Sequence, residues 1–165
     1  MLILGIDPGP KLHGFALLDV TRERRTWQMS GRETTSGLLA LLDGWEAGGP
    51  GTLPVVGVEW SARILGGFAN HQRSRSIASA LIATQGEAGI LVGRAGARAV
   101  RIEAAQWRRG IVGTPSPTDA QVRAAILRLV EGWPTRSSAG AHACDAAGVA
   151  LAAFNMARGS RREEA

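Results

Sequence analysis

Asp7 closes the apolar run Leu2-Ile3-Leu4-Gly5-Ile6 and is followed at once by Pro8-Gly9. Its carboxylate therefore stands where the chain leaves a buried strand, the edge at which ligands bind in open α/β sheets. Asp-Pro-Gly also suits a tight turn with no further role. Glu59 repeats the placement after Val55-Val56-Gly57-Val58, and a strand-end Glu taken alone points to water. Two acids at the ends of neighbouring strands are costly to hold together unless a cation offsets them. His142 and Asp145 lie three apart, on one face of a helix, just ahead of the apolar stretch Ala146–Phe154. Either could be a cap or a solvated residue, but Asp145 sits among Ala143, Cys144, Ala146 and Ala147. Asp7, Glu59, His142 and Asp145 together make an oxygen-rich set with one imidazole, suited to Mg²⁺ or Mn²⁺. Two such ions about 3.5–4 Å apart can activate water and stabilise the leaving oxygen in phosphodiester hydrolysis.

The elements that must carry these residues alternate along the chain. Strands are predicted over 2–7, 13–20 and 24–29, with a hairpin turn from Thr21 to Glu23. Leu38, Leu39, Leu41 and Leu42, with Trp45, place a helix over 34–46. The Gly48–Gly51 linker leads to a fourth strand over 55–59, and Ala99–Ile102 is a short fifth. A long helix is predicted from Asn70 to about Val92. Thr118 starts another, in which Val122, Ala125, Ile126, Leu129 and Val130 form a core-facing stripe. Gly132 and Pro134 stop it. The last helix runs from Ala141 to Met156. Residues 1–157 thus read as a single α/β domain with a mixed sheet, and 158–165 as a frayed tail.

Composition narrows the class. At 45% hydrophobic and 20% charged residues, the chain is too apolar for disorder. The single Cys144 excludes an internal disulfide framework and a cysteine-rich zinc site. No run of about 20 apolar residues is present to span a membrane, and the opening lacks the basic region of a signal peptide; the expectation is a soluble cytoplasmic domain. Nineteen basic residues against 14 acidic ones leave a net charge of +5, and all but Lys11 are arginine. That balance points to nucleic acid, although a GC-rich genome also favours arginine over lysine.

The ordered set resembles the RuvC family of Holliday-junction resolvases, which have an RNase H-like fold. The opening Leu4-Gly5-Ile6-Asp7-Pro8-Gly9, with Gly14 and Phe15 beyond, is similar to the family's first motif. Glu59 matches its second strand-end acid, and His142 and Asp145 match two metal-binding positions on its last helix. The first of those is usually Asp. Residues 107–122, WRRGIVGTPSPTDAQV, follow the family's path from a basic residue through a glycine loop into a helix, with Arg108 at the basic position. Three features depart from the pattern: Asp119 stands where a second Lys is usual, Ala62 where an aromatic is usual, and Gln85-Gly86-Glu87-Ala88-Gly89 replaces Gly-Gln-Ala-Arg-Gly. These changes bear on junction selectivity and sequence preference rather than on the metal site.

The resemblance implies a five-stranded mixed sheet with helices on both faces, a homodimer, and Mg²⁺- or Mn²⁺-dependent nicking of branched DNA such as a four-way junction. Asp7, Glu59 and Asp145 would hold the ions, two per site in the family pattern, with His142 as a ligand or general acid/base. Arg108 would neutralise the cleaved phosphate. Arg63, Arg73 and Arg75 would track the DNA backbone, and Phe68 or Trp60 would stack on an exposed base; a solvated basic face is the other reading of the arginines. Two rivals remain: a branched-DNA-binding module that does not cut, and an actin-like phosphotransferase, which shares the strand–Asp–Gly opening but needs two such domains.

Overall fold

A computed structural model describes residues 1–21, 23–47, 54–60, 72–135 and 140–163. Five strands form one mixed sheet: β1 (Leu2–Asp7), β2 (His13–Val20), β3 (Arg25–Glu33), β4 (Val55–Trp60) and β5 (Ala99–Glu103), in the order β3-β2-β1-β4-β5. The first three are antiparallel neighbours, whereas β4 and β5 run parallel to β1. Helices α1 (Thr35–Glu46) and α2 (Gln72–Ala95) carry the chain between strands, followed by a 3₁₀ turn at Gly96–Arg98. Helices α3 (Ala104–Val112), α4 (Asp119–Leu129) and α5 (Gly140–Glu163) complete the fold. Among the described residues, no helix is long and apolar enough to cross a membrane.

Strand alternation divides the core. Leu4 and Ile6 of β1, Phe15 and Leu17 of β2, and Val56 and Val58 of β4 pack with Leu38 and Leu42 of α1 and with Ala88 and Leu91 of α2. Residues of opposite parity, such as Ile3, Ala16, Leu18 and Ile102, pack with α3, α4 and α5. Helices therefore cover both faces, as a sheet with apolar residues at both parities requires.

Several boundaries differ from the sequence-based expectation. β3 continues to Glu33 because Ser30–Glu33 pair with His13–Ala16 through the backbone, and an edge ladder needs no apolar alternation. Helix α3 has no counterpart in the sequence reading; Arg108, Arg109 and Gly110 interrupt its apolar pattern, and only Trp107 is fully buried. Gly113 ends it at φ 90°, a left-handed conformation that glycine adopts without strain. Helix α5 extends past Met156 to Glu163 over residues that include the helix formers Arg158, Arg161 and Arg162. Thr118 does cap α4, accepting from the Gln121 amide while the Gln121 side chain returns the bond.

Candidate active site

The sheet brings the two strand-end acids together by register. Ile6 of β1 is opposite Val58 of the parallel β4, so Asp7 and Glu59 are the next residues on neighbouring strands, which lie about 4.8 Å apart. Both share the parity of Gly5 and Gly57, the side covered by α5.

Helix α5 reaches this edge because glycines and alanines let it lie against the sheet. A Cβ on Gly5 would run into the Ala146 carbonyl and Ala150, and one on Gly57 would meet Ala153 and Val149. A Cβ on Gly14 would strike His142. Ala143, Ala146, Ala147, Ala150 and Ala153 are all fully buried. The close seat lowers His142 and Asp145 onto Asp7.

His142 Nδ1 lies 2.6 Å from Asp7 Oδ2. The Trp107 indole N–H donates to Glu59 Oε2 at 2.6 Å, and the Trp107 ring occupies the space a side chain at Gly148 would fill. Arg108 Nη2 is 3.5 Å from Asp145 Oδ2, and its guanidinium stands over the Trp107 ring at 5.2 Å. The Arg108 Nε is buried without a hydrogen-bond partner.

Burial pushes all three carboxyls up, and the charge of Asp7 adds to the rise of Glu59 and Asp145. Burial raises Asp7, partly opposed by the His142 hydrogen bond and by the charges of His142 and Arg108. Glu59 rises to about 7 through burial, then the charge of Asp7, with the Trp107 bond opposing. Asp145 rises to about 6 through burial, then Asp7, with Arg108 opposing and Asp119 adding to the rise. The donor set, hard carboxylate oxygens sharing one field, suits a divalent cation such as Mg²⁺ or Mn²⁺. Among the described residues no three His, Cys, Asp or Glu side chains already converge as a metal cage. His142 engages one oxygen of Asp7, Oδ2, and Trp107 one oxygen of Glu59, Oε2, so a cation would meet both carboxylates beside those contacts.

The structure thus gathers Asp7, Glu59, His142, Asp145 and Arg108. Trp60 does not join them: it lies on the opposite face, packed towards α1 and α2, with the Arg101 guanidinium 4.7 Å from its ring centroid. Arg63 and Phe68 lie outside the described residues. Arg73 and Arg75 fall in the first turns of α2, and their side chains are likewise outside the description. Trp107, which orients Glu59, was not singled out by sequence. Its signal was an indole beside the basic Arg108.

The architecture is an α/β, RNase H-like fold. It is similar to the structure of Thermus thermophilus RuvC, with a TM-score of 0.64 and 17% identity over 94% of this chain and 96% of that one. It is equally similar to T. thermophilus RuvC in complex with Holliday junction substrate, with a TM-score of 0.63 and 17% identity over 94% of each chain. No protein-family model and no curated protein matches the chain by sequence.

Proposed function

We propose that this chain is a metal-dependent, structure-selective endodeoxyribonuclease that nicks four-way DNA junctions. The observation that carries the reading is the gathering of Asp7, Glu59 and Asp145 at one sheet edge, all raised by burial, and Glu59 and Asp145 also by the charge of Asp7, within a fold shared with a structure bound to a Holliday junction. Asp7, Glu59 and Asp145 would hold the cations, with His142 beside Asp7. Bound ions of this kind supply an activated water and stabilise the leaving oxygen. Trp107 orients Glu59, and Arg108 offers its guanidinium to the phosphate being cleaved, where charge builds up. The net charge of +5 favours the polyanionic substrate.

Two opposed nicks need two sites related by a two-fold axis. Helix α2 supports a homodimer: Ile82 and Ile90 are 57% and 54% exposed, on a face shared with Gly86 and Gly93, where a side chain would meet nothing. A second reading, a module that binds branched DNA without cutting it, is favoured by the closed Asp7–His142 contact.

The test is nicking of a synthetic four-way junction against plain duplex, with Mg²⁺, Mn²⁺ or chelator, for wild type and Asp7→Asn. Metal-dependent nicking of the junction that disappears in Asp7→Asn, with binding retained, is the expected outcome. Binding without nicking in wild type supports the second reading.

A further inference from the structure

A second polar cluster lies beneath the Asp7 turn, on the other face of the sheet. Asp7 is opposite Gly14 in the β1–β2 ladder, so His13, one residue earlier, projects away from α5 and towards α1 and α2. Its side chain has no exposure. The Gly9 amide donates to His13 Nδ1 at 3.2 Å. The other ring nitrogen, Nε2, lies 2.8 Å from Thr35 Oγ1 at the start of α1 and 3.0 Å from Glu87 Oε2 of α2. The Thr35 hydroxyl in turn donates to Glu87 Oε2 at 2.7 Å.

These contacts determine the tautomer. An amide N–H can only donate, so Nδ1 carries no proton and Nε2 carries the one proton of the neutral ring. That Nε2–H meets the two oxygens able to accept it. Burial also pushes the ring below the ordinary histidine range, against the pull of Glu87. Gly9 is tightly folded here, since a Cβ would strike the Leu12 carbonyl. Glu87 belongs to the Gln85–Gly89 segment that departs from the family pattern, and His13 is where its carboxylate is used.

We propose that His13 is a positioning residue: oriented by Glu87 and Thr35, it anchors the Asp7-Pro8-Gly9 turn through the Gly9 amide and so sets where Asp7 presents its carboxylate. It rests on the nuclease reading only for what Asp7 does, and it acts through the backbone, because the opposite strand parity keeps its ring from the cation.

Two substitutions separate the ends of the ring. His13→Asn keeps an acceptor at the place of Nδ1, whereas His13→Gln keeps an amide at the reach of Nε2 and loses the Gly9 bond. In the metal-free full-length protein, amide exchange at Gly9 should stay slow in wild type and His13→Asn, and quicken about tenfold or more in His13→Gln as local opening becomes easier. Mn²⁺ affinity, measured by calorimetry, should fall about 10- to 100-fold in His13→Gln and recover in His13→Asn. Equal Gly9 exchange in all three proteins overturns the anchor. Altered exchange with unchanged Mn²⁺ affinity overturns the positioning of Asp7. Absence of Mn²⁺ binding in wild type overturns the nuclease reading instead, while Gly9 exchange still decides the anchor. Should His13→Gln fail to fold, the ¹⁵N spectrum of the wild-type ring decides: a protonated Nδ1 refutes the proposal.

Discussion

Replacing Glu59 with Gln should make the metal-free protein more stable at pH 8, against the usual direction for a substitution in a site. The folded-state carboxyl titrates at about 7 against an ordinary 4.5, so the native protein holds the proton more tightly than the unfolded chain does. The associated stability is present below about pH 4.5 and is lost as pH rises through about 7. At about 1.4 kcal/mol per pH unit, the loss reaches about 3 kcal/mol by pH 8. Gln carries no charge to repel Asp7 and Asp145, and its amide oxygen still accepts from Trp107. The stronger bond of Trp107 to the charged acceptor is already contained in the value of about 7, which that bond holds down, so the gain is about 3 kcal/mol. For a chain of this size that is a Tm rise of about 6–12 °C. The assay is calorimetric melting of wild type and Glu59→Gln in chelator at pH 8 and pH 5. The gain should be large at pH 8 and nearly gone at pH 5, where the wild-type group is protonated when folded. A variant less stable than wild type at pH 8, or equally shifted at both pH values, would refute the account of a Glu59 carboxyl raised by burial and by the charge of Asp7.

Three other outcomes follow from the same geometry. His142→Asp adds a hard oxygen donor where an imidazole stands, so the wild-type preference for Mn²⁺ over Mg²⁺ in junction nicking should narrow; unchanged rate ratios would make His142 a bystander. Replacing Arg73 and Arg75 together with Ala should flatten the log–log salt dependence of junction binding by roughly 1–2 units, since each phosphate contact contributes a slope of about −0.9; an unchanged slope would return them to a solvated face. Gly5→Ala forces a methyl group against the Ala146 carbonyl, which is backbone and cannot swing aside. It should cost about 2 kcal/mol or more, and a melt indistinguishable from wild type would show that α5 is not seated on β1 as described.

The elements with local signatures could be located from the order of residues. Apolar runs ending in Asp7 and Glu59 located β1 and β4, the stripe from Val122 to Val130 located α4, and the i, i+3 spacing put His142 and Asp145 on one helix face. Each rests on periodicity within a few residues, which side-chain chemistry alone dictates. Tertiary structure decided what those elements bring together. The Asp7–His142 contact spans 135 residues of chain and depends on α5 settling onto Gly14, Gly5 and Gly57, a fit of backbone surfaces with no local pattern. The Trp107 bond to Glu59 likewise joins groups 48 residues apart, on a helix whose charged residues hid its apolar face. His13 shares the parity of Phe15 and Leu17, so burial was readable at that position. Its partners Gly9, Thr35 and Glu87 come from three separate segments: the turn between β1 and β2 supplies Gly9, and only packing of α1 and α2 against one face of the sheet brings Thr35 and Glu87 to the same ring.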